Sequence, residues 1–401
     1  MALCKIIICY RYNNPLDMKI LIIHRSFALV GGAERVIIDK ANYLCEHSHE
    51  VMLVSYEQGE HPIPYKLHPS VSYLDLDCRF FTLSRYSIHK RLYHFFRLKR
   101  KLMSSLRNAI EAYSPEVVVL ASDWQFLINI VLDASCEIPV ISEFHNAYDF
   151  ITKKIGNKDN GIIVKMTSLY YRHFLKQFRK CACLVALTEN DAKHWRKHSN
   201  HVLVIPNPVT LYPEVIDDVK KEPSRIICVG RLNGQKRIDR LVSAFSKIAN
   251  KYPDWHIDIF GEGDLRPVIQ DQIDSCYLHD RIILHEPTKT IYDEYKRSQM
   301  LVLSSEYEGR PLVLIEAMAC GVPCISFDCP SGPKEIIEDG VTGLLAENGN
   351  VDDLSQKMEW LITHDLEREE MGKKARLAAL AYKPSVIMKE WEELYTGSLS
   401  K

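Results

Sequence analysis

Two glutamates eight residues apart, Glu308 and Glu316, lie in the segment SSEYEGRPLVLIEAMACGVPCISFD, residues 304–328. A carboxylate accepts paired hydrogen bonds from neighbouring hydroxyl groups. Sugars carry such hydroxyl pairs, whereas phosphates do not. One carboxylate can therefore bind a sugar and the other a ribose. The alternative for Glu316 is a solvated residue on a helix surface, where glutamate is common.

The residues between the two glutamates suit an anion. Gly309 permits a tight turn, Pro311 favours the first turn of a helix, and LVLIEAMA is a strong helix-forming run. A helix that begins at the carboxyl end of a parallel strand directs free N–H groups at a ligand. We therefore expect a diphosphate against residues 310–313. The candidates for binding a ligand that carries this diphosphate are Gly309, Arg310, Pro311 and Leu312.

Two cations lie in a second loop, within CVGRLNGQKRIDRLVSAF, residues 228–245. Arg231 and Lys236 would compensate the charge of a diphosphate and stabilise the charge that builds on it as a glycosidic bond breaks. The plainer interpretation is that both are solvated loop residues. The segment IFGEGD adds a glycine turn after a strand, with Gly261 and Gly263 as further candidates.

The first half of the chain offers candidates by position. Gly31 and Gly32 follow the first strand in HRSFALVGGAER and let the backbone approach a ligand closely. The pattern is not G-x-G-x-x-G, which argues against a nicotinamide site. His145 ends a strand, although histidine there often bonds only local backbone. Thr188 and Asn207 also stand at strand ends.

Residues 79–107 form a basic, aromatic segment without an acidic side chain. Its cations are Arg79, Arg85, Lys90, Arg91, Arg97, Lys99, Arg100, Lys101 and Arg107. A helix of this kind can lie on anionic lipid headgroups. It can equally be a solvated helix that packs its leucines and phenylalanines inward.

The elements that position these residues alternate between strands and helices, which predicts parallel sheets built from βαβ units and an α/β fold. The strands are expected at 19–26, 50–56, 117–122, 138–145, 183–189 and 202–206, and then at 225–231, 255–261, 281–285, 300–305 and 323–328. After residue 350 the pattern is helical and ends in an apolar stripe of Val386, Trp391 and Leu394.

A chain of 401 residues predicts two domains. The proline-rich stretch 206–223 is typical of an exposed linker between them. The resulting domains are 18–209 and 210–383, followed by a C-terminal helix at 384–401. MKILIIHRS, from Met18, reads like a natural start, so we interpret residues 1–17 as an upstream extension.

Composition excludes several classes of protein. The 51 Lys and Arg balance 52 Asp and Glu, which leaves no global field to recruit nucleic acid. No run of about 18 apolar residues could span a bilayer. The opening residues lack a basic leader and an A-x-A-like cleavage site, so a secretory signal is not expected. The twelve cysteines form no C-x-x-C pair, so core thiols are favoured over a metal site. The cytoplasm, which is reducing, is the expected location.

Taken together, these motifs resemble glycosyltransferase family 4, a large group of retaining enzymes with the GT-B fold. The resemblance rests on GGAER after the first strand, on GRL with QKR in the second half, and on E-x7-E within EYEGRPLVLIEAMACG. It covers residues 18 to about 395. It implies two Rossmann-like domains with parallel sheets facing across a cleft, and a C-terminal helix that returns to the first domain.

The resemblance also implies roles in the second domain. Arg231 and Lys236 would hold the donor's diphosphate, Glu316 its ribose, and Glu308 the hydroxyls of the transferred sugar. Backbone N–H groups after Gly309 would assist. Arg310 departs from the pattern, which often has an aromatic residue at this position.

In the first domain, the resemblance implies that Gly32 contacts the diphosphate from the opposite side and that His145 lies near the sugar. It implies no required metal, and no cofactor is expected. The FDCPSGPKEII segment resembles members that act on hexoses and N-acetylhexosamines. Members with a basic first-domain helix often build capsule, O-antigen or lipid-linked glycans, so a lipid-linked saccharide acceptor and peripheral membrane contact through 79–107 are expected.

These observations predict a retaining transfer from a nucleotide-diphosphate sugar, with a UDP-sugar favoured, to a glycan or lipid-linked saccharide. No convincing carboxylate is available as a nucleophile about 5 Å from an acid/base partner, so a same-face displacement is preferred. Two alternatives stay open. One is a sugar-nucleotide 2-epimerase of similar fold, and the other is a non-enzymatic sugar-binding protein.

Overall fold

The computed structural model describes residues 17–28, 31–121, 127–148, 174–216 and 219–397. The chain divides into two compact units, the first formed by Met1–Ile205 with Ile387–Lys401 and the second by Pro206–Val386. The domain limits expected from the sequence stay a prediction, because compactness alone does not establish independent folding. The proposed extension lies outside the described residues apart from Asp17.

The first unit contains a seven-stranded sheet in the order β3-β2-β1-β4-β5-β6-β7, with every pair parallel. Its strands are β1 Lys19–His24, β2 Glu50–Ser55, β3 Ser72–Asp75, β4 Val117–Leu120, β5 Val140–Glu143, β6 Cys183–Ala186 and β7 Val202–Val204. The sequence did not predict β3, a four-residue edge strand with half-exposed side chains. The parallel sheet confirms the expected fold class.

The second unit contains a six-stranded parallel sheet in the order β10-β9-β8-β11-β12-β13. Its strands are β8 Arg225–Val229, β9 His256–Phe260, β10 Ile282–His285, β11 Met300–Leu303, β12 Cys324–Phe327 and β13 Gly343–Ala346. All five strands expected here are present. The additional strand, β13, begins with a glycine and has the short sequence GLLA, which gives little pattern to detect.

Eleven α-helices occur in the described part of the chain. They are α1 Gly32–Glu46, α2 Ile88–Tyr113, α3 Leu127–Ser135, α4 Glu189–Trp195, α5 Ile238–Ser246, α6 Arg266–Ser275, α7 Ile291–Arg297, α8 Leu312–Ala319, α9 Val351–Thr363, α10 Asp365–Ala378 and α11 Pro384–Tyr395. None of these helices is long and apolar enough to cross a bilayer.

Both faces of each sheet are buried, as is usual for parallel sheets. In β1, Ile20 and Ile22 pack into one core with α1 and α11, whereas Leu21 and Ile23 pack into another with α2 and α3. Each strand of this kind is apolar throughout because neither face meets water. This is why the parallel strands were recognisable as continuous apolar runs.

The C-terminal helix α11 packs on the first unit, as the resemblance implied. Ile387, Met388, Trp391 and Tyr395 are buried in the same core as β1. The predicted stripe was wrong at Val386, which is exposed. The buried residues follow a spacing of four from Ile387, so the apolar face starts one residue later than expected.

The strand order reverses direction between two neighbouring strands in each sheet. In the second unit this switch lies between β8 and β11, which are adjacent although they are distant in sequence. Ligands of open α/β sheets bind outside the carboxyl ends of the strands at such a switch point. The loops after β8 and β11 carry the two densest sequence motifs. The topology therefore indicates these two loops as the candidate ligand site.

Candidate functional site

Hydrogen bonds join the loop after β8 to the loop after β11. The Glu306 N–H donates to the Gln235 carbonyl at 2.8 Å. The Gln235 side-chain amide donates in return to the Tyr307 carbonyl at 3.0 Å. The Ser304 hydroxyl donates to the Lys236 carbonyl, also at 3.0 Å. These bonds fix the polar residues at the ends of two adjacent strands relative to each other.

Lys236 and Glu308 form an ion pair at this junction. The ammonium Nζ of Lys236 lies 2.6 Å from Oε1 of Glu308, and both side chains are largely buried. The Lys236 stem runs over Gly230, where an added Cβ would stand 3.1 Å from Lys236 Cε. An ammonium has three donors, and among the described residues only Glu308 receives one from Lys236. The structure therefore brings two predicted site residues together.

Arg231 lies at the same edge of the sheet with an exposed side chain. Its guanidinium makes no hydrogen bond or ion pair with the described part of the chain. Burial raises the pKa of the Tyr307 hydroxyl and the charge of Glu308 raises it further, whereas the charge of Arg231 opposes both. Arg231 therefore acts electrostatically on the loop that holds Glu308 and is available to an anion.

Helix α8 begins beside this pair. Pro311 is its N-cap, in an extended conformation, and no side chain caps the helix. The N–H groups of Leu312 and Val313 have no acceptor among the residues that the structure describes. Uncapped N–H groups at a helix start carry partial positive charge and bind anions. The predicted anion site at residues 310–313 thus has open donors.

Glu316 lies further along α8 and is half-buried. Its Oε2 accepts a hydrogen bond from the Tyr295 hydroxyl at 3.0 Å, and its Oε1 accepts one from Thr210 at 3.3 Å. Burial places the pKa of Tyr295 well above its usual range, and the Glu316 charge adds to this. The two hydroxyls hold the Glu316 carboxylate in place on α8.

Arg310 holds the loop together. Its guanidinium donates to the Tyr382 hydroxyl at 2.7 Å and to the Glu335 carbonyl at 3.3 Å, and it lies 5.1 Å from the centre of the Tyr382 ring. The side chain is buried by these contacts. The neighbouring Gly309 carbonyl is so close to Gly332 that a Cβ there would stand 2.6 Å away. The Arg310 side chain is thus engaged by Tyr382 and Glu335, which indicates a structural role for it.

Gly261 and Gly263 allow the loop after β9 to pack on the loop after β8. An added Cβ on Gly261 would clash with the Gly230 carbonyl, and one on Gly263 would clash with the Leu232 carbonyl. The Leu232 N–H donates to the Glu262 carbonyl at 2.8 Å across the same junction. The structure thus supplies a packing reason for both glycines.

In the first unit, the GGAER motif and His145 come together. Gly31 is the N-cap of α1, and its N–H donates to the Tyr65 hydroxyl at 2.9 Å. Gly32 is the first residue of the helix. Burial raises the pKa of Glu34, but the hydrogen bond and charge of His24, with a contribution from His145, lower it overall.

His145 follows β5 by two residues and lies on a buried charge network. Its Nε2 is 3.4 Å from Oε2 of Glu143, the last residue of β5. The other carboxylate oxygen, Oε1, contacts the Lys40 ammonium. Lys40 and Glu143 were missed by sequence reasoning. The available signal was a lysine four residues from both Val36 and Leu44, on the apolar face of α1.

The remaining two candidates are buried in different ways. The Thr188 hydroxyl accepts from the Asp191 N–H at 3.1 Å and donates to its Oδ2 at 2.9 Å, which makes Thr188 the cap of α4. Asn207 is buried at the start of the second unit. The structure gives Thr188 a local capping role, and within the second unit no described hydrogen bond joins Asn207 to Lys236 or Glu308.

Two family models match the chain, one in each half. A model described as Glycosyltransferase Family 4 matches residues 30–211. A model described as Glycosyl transferases group 1 matches residues 215–378. Between them they span the GGAER motif, both loops of the second unit and both glutamates.

Whole-length relatives agree with these matches. An uncharacterized glycosyltransferase of Haemophilus influenzae is 26% identical over 90% of this chain and 95% of its own length. A GalNAc-alpha-(1->4)-GalNAc-alpha-(1->3)-diNAcBac-PP-undecaprenol alpha-1,4-N-acetyl-D-galactosaminyltransferase of Campylobacter jejuni is 26% identical over 91% of this chain and 94% of its own length.

The solved structures show the fold. Staphylococcus aureus TarM superposes with a TM-score of 0.73 at 16% identity, over 96% of this chain and 100% of TarM. The relatives with named activities are transferases, which does not favour the 2-epimerase or the sugar-binding alternative. With one family model on each half and a GT-B fold throughout, the chain belongs to the family 4 type of glycosyltransferases.

Proposed function

We propose that this glycosyltransferase moves a hexose or N-acetylhexosamine from a UDP-sugar to a glycan or lipid-linked saccharide, with retention of configuration. The observation that carries the proposal is the Lys236–Glu308 pair, 2.6 Å apart, beside the open N-terminus of α8. It sits at the topological switch point of the second sheet, where ligands of this fold class bind.

The diphosphate lies against the N–H groups of Leu312 and Val313, with Arg231 and Lys236 as its cations. Two fixed positive side chains match the two negative charges of a nucleotide sugar, and they stabilise the additional charge of the leaving diphosphate. Glu308 and Glu316 accept hydrogen bonds from the transferred sugar and from the ribose, because carboxylates take paired hydroxyl donors.

Relatives support the choice of donor and acceptor. Structures of Staphylococcus aureus TarM and of Anabaena HepE contain UDP. The Campylobacter jejuni relative is named as an N-acetylgalactosaminyltransferase on a diphosphate-undecaprenol saccharide. A Staphylococcus aureus relative that is 32% identical over 60% of this chain, covering 45% of its own length, is named as an N-acetylglucosaminyltransferase. These names favour a UDP-linked N-acetylhexosamine and a lipid-linked acceptor.

The reaction proceeds on one face of the donor sugar. The bond from the anomeric carbon to the diphosphate oxygen breaks, and UDP leaves with its electron pair while Arg231 and Lys236 hold it. The acceptor hydroxyl oxygen bonds to the same face of the anomeric carbon, and its proton passes to the leaving diphosphate. Glu308 is already the partner of Lys236, which favours a binding role over attack on the sugar.

A further partner is suggested by an apolar stripe at the start of α2. Ile88, Leu92 and Phe96 are four residues apart and 78%, 60% and 54% exposed. The C-terminal half of the same helix, with Leu102 and Leu106, packs in the core. The two interpretations of this segment thus apply to different ends of the helix, and the core does not cover the stripe.

Cations flank this apolar stripe. Arg85, Lys90, Arg97 and Arg100 are exposed, and none makes an ion pair with the described residues. We propose that the surface lies on anionic lipid headgroups at the inner face of the cell membrane, with the apolar side chains in the interface. A lipid-linked acceptor would then be presented by the same membrane.

The proposal is tested with purified protein and a panel of UDP-, GDP- and ADP-sugars, with and without a lipid-extract acceptor. Release of nucleoside diphosphate should depend on acceptor, should be greatest for a UDP-sugar, and should be lost in Arg231→Ala and Glu308→Ala. Conversion of the donor to an epimer without acceptor would overturn the proposal in favour of an epimerase. Release by both variants at the wild-type rate would remove these residues from the site.

A further inference from the structure

The first unit contains an ion pair that the donor site does not use. Lys40 on α1 is 0% exposed and Glu143 at the end of β5 is 2% exposed, and the two side chains are in contact. Burial alone would raise the pKa of Glu143, but Lys40 and His145 together bring it to about 2. Glu143 is therefore ionised at any physiological pH. A buried ion pair is weak evidence for stability, so another role has to be considered.

The two oxygens of Glu143 have different surroundings. Oε1 contacts the Lys40 ammonium and is 3.5 Å from the Tyr395 hydroxyl. Oε2 is 3.4 Å from His145 Nε2 and has no other partner in the described residues. Lysine carries only donors, so Lys40 fixes which oxygen faces it and leaves the other for the imidazole.

The C-terminal helix completes this arrangement. The Lys40 ammonium lies 3.7 Å from the centre of the Trp391 ring, and Tyr395 on the same helix donates to Glu143. A cation held over an aromatic face is attracted by the ring and cannot move freely. Helix α11 therefore contacts Lys40 and Glu143 Oε1, whereas His145 contacts the other oxygen of Glu143.

The His145 side chain is 93% buried, yet neither ring nitrogen makes a hydrogen bond with a described residue. Nε2 has only the 3.4 Å contact with Oε2 of Glu143, and Nδ1 has no such contact with a described residue. Buried polar atoms are rarely left unsatisfied. A ring with one nitrogen directed at a carboxylate and the other open is set up to bond a ligand through the open one.

We propose that Glu143 is a positioning residue that fixes the orientation and the tautomer of His145, and that Lys40 and α11 hold Glu143 in place. The inference rests on the proposed function, because the hydroxyl that His145 would bond belongs to a sugar substrate. In the neutral imidazole Nε2 carries the proton and donates to Glu143. Nδ1 is then left as a hydrogen-bond acceptor for a hydroxyl of a sugar ligand.

Charged groups on two elements act on His145. Glu143, at the end of β5, contacts His145 directly, and Glu34 on α1 interacts with His145 electrostatically. Lys40 lies behind Glu143, and His24 lies behind Glu34. Removing one carboxylate therefore leaves the other, so the tautomer is a more specific readout of Glu143 than total charge.

The first experiment measures the nitrogen NMR shifts of the His145 ring, with histidine-labelled protein and assignment by His145→Gln. We expect a protonated Nε2 and an unprotonated Nδ1. In Glu143→Gln, the Lys40 ammonium can only donate, so it pairs with the amide oxygen. The amide N–H groups then face Nε2 of His145. Nε2 must then accept, and the proton moves to Nδ1. Unchanged His145 shifts in this variant would overturn the proposal.

Two further variants sharpen this test. In Lys40→Met/Glu143→Gln no ammonium claims the amide oxygen, so the oxygen accepts from Nε2 and the original tautomer returns. If Glu143→Gln alone does not fold, the wild-type shifts still test the proposal, because a protonated Nδ1 with an unprotonated Nε2 would overturn it. The control is Glu57→Gln, which alters another buried carboxylate of the first unit, the partner of Arg25. It should leave the His145 shifts unchanged, and a change there would overturn the assignment to Glu143.

The second experiment is kinetic. Glu143→Gln should lower kcat for UDP release by up to about 100-fold with little change in KM, since a misplaced group slows the reaction more than it weakens binding. In a His145→Ala background the same substitution should have no further effect. An additive loss in both backgrounds would mean a structural role and would overturn the proposal.

The two experiments separate this inference from the proposed function. The NMR shifts are measured without donor, so they test the tautomer even if no nucleotide sugar is turned over. If the wild-type protein releases UDP and Glu143→Gln releases it at the same rate, the transferase stands and the positioning role is wrong. If no donor is turned over, the proposed function fails whatever the tautomer.

Discussion

Nζ of Lys236 lies 2.6 Å from Oε1 of Glu308, so the two residues expected to hold different parts of the donor contact each other. The contact links the loop after β8 to the loop after β11, at the switch point of the second sheet. Replacement of either residue therefore leaves the charge of the other uncompensated at the place where a ligand would bind. Binding and stability are therefore coupled at this pair.

Replacement of Lys236 should lower stability as well as activity. Lys236→Ala leaves the Glu308 carboxylate largely buried without its cation, which should reduce the free energy of unfolding by about 1–3 kcal/mol. The control Lys251→Ala breaks an exposed pair with Glu359 and should change it by less than about 1 kcal/mol. Urea unfolding measures both. Equal losses in the two variants would contradict the account of a buried pair.

Arg310 and Tyr382 should show coupled effects on stability. Arg310→Ala removes the 2.7 Å bond to the Tyr382 hydroxyl and the contact with its ring. Tyr382→Phe removes the bond and keeps the ring. A double-mutant cycle from thermal or urea unfolding should give a coupling free energy of about 1 kcal/mol. Additive effects would mean that the bond is not formed in solution.

Alanine at Gly261 should be far more damaging than alanine at Gly234. A Cβ on Gly261 clashes with the Gly230 carbonyl, whereas a Cβ on Gly234 meets nothing within 4 Å. Relieving the clash forces the loops after β8 and β9 apart, which should reduce the free energy of unfolding by about 1–3 kcal/mol. Gly234→Ala, the control, should differ little from wild type. Similar stability of both variants would refute the close backbone approach.

Acid should destabilise the protein through Glu143. Its pKa is about 2 in the folded protein, against about 4.3 in an unfolded chain. Below about pH 5 the unfolded state therefore binds more protons, and the free energy of unfolding falls as the pH drops toward 2, by about 3 kcal/mol in total. Urea titrations between pH 3 and 6 should show a flatter dependence for Glu143→Gln. The same slope in both proteins would count against the low pKa.

The apolar stripe of α2 should bind anionic vesicles. Wild-type protein should float with vesicles that contain phosphatidylglycerol and not with pure phosphatidylcholine, and salt should weaken the binding. Leu92→Ser/Phe96→Ser should abolish flotation. Leu366→Ser, at an exposed leucine of the second unit, should not. Flotation that survives loss of the stripe would exclude this surface as the membrane contact.

Much of the fold could be predicted because parallel strands are buried on both faces and appear as apolar runs. Strands β3 and β13 escaped because the first is a short edge strand and the second contains a glycine. Val386 was assigned to the buried face of α11 because a pattern of apolar residues fixes helical phase only to within one residue or so. The neighbouring Ile387 and Met388 are also apolar, and packing decides between them.

The candidate site was predictable where residue type, spacing and a strand end coincided, as at Glu308 and Lys236. The partners that orient these residues were not. Thr210 and Tyr295 are 106 and 21 residues from Glu316 in sequence, and only the fold brings their hydroxyls to its carboxylate. Lys40 carried a local signal, a charge on an apolar helix face, but nothing local identified Glu143 as its partner.

The measurement that tests the central claim most directly is nucleotide binding by calorimetry, with UDP, GDP and ADP as ligands. Arg231→Ala and Lys236→Ala should each weaken the affinity for UDP at least about tenfold, which corresponds to about 1.4 kcal/mol. Lys251→Ala, a surface cation of the same unit, should bind as wild type does. Equal UDP affinity in all four proteins would contradict the assignment of the diphosphate to the loops after β8 and β11.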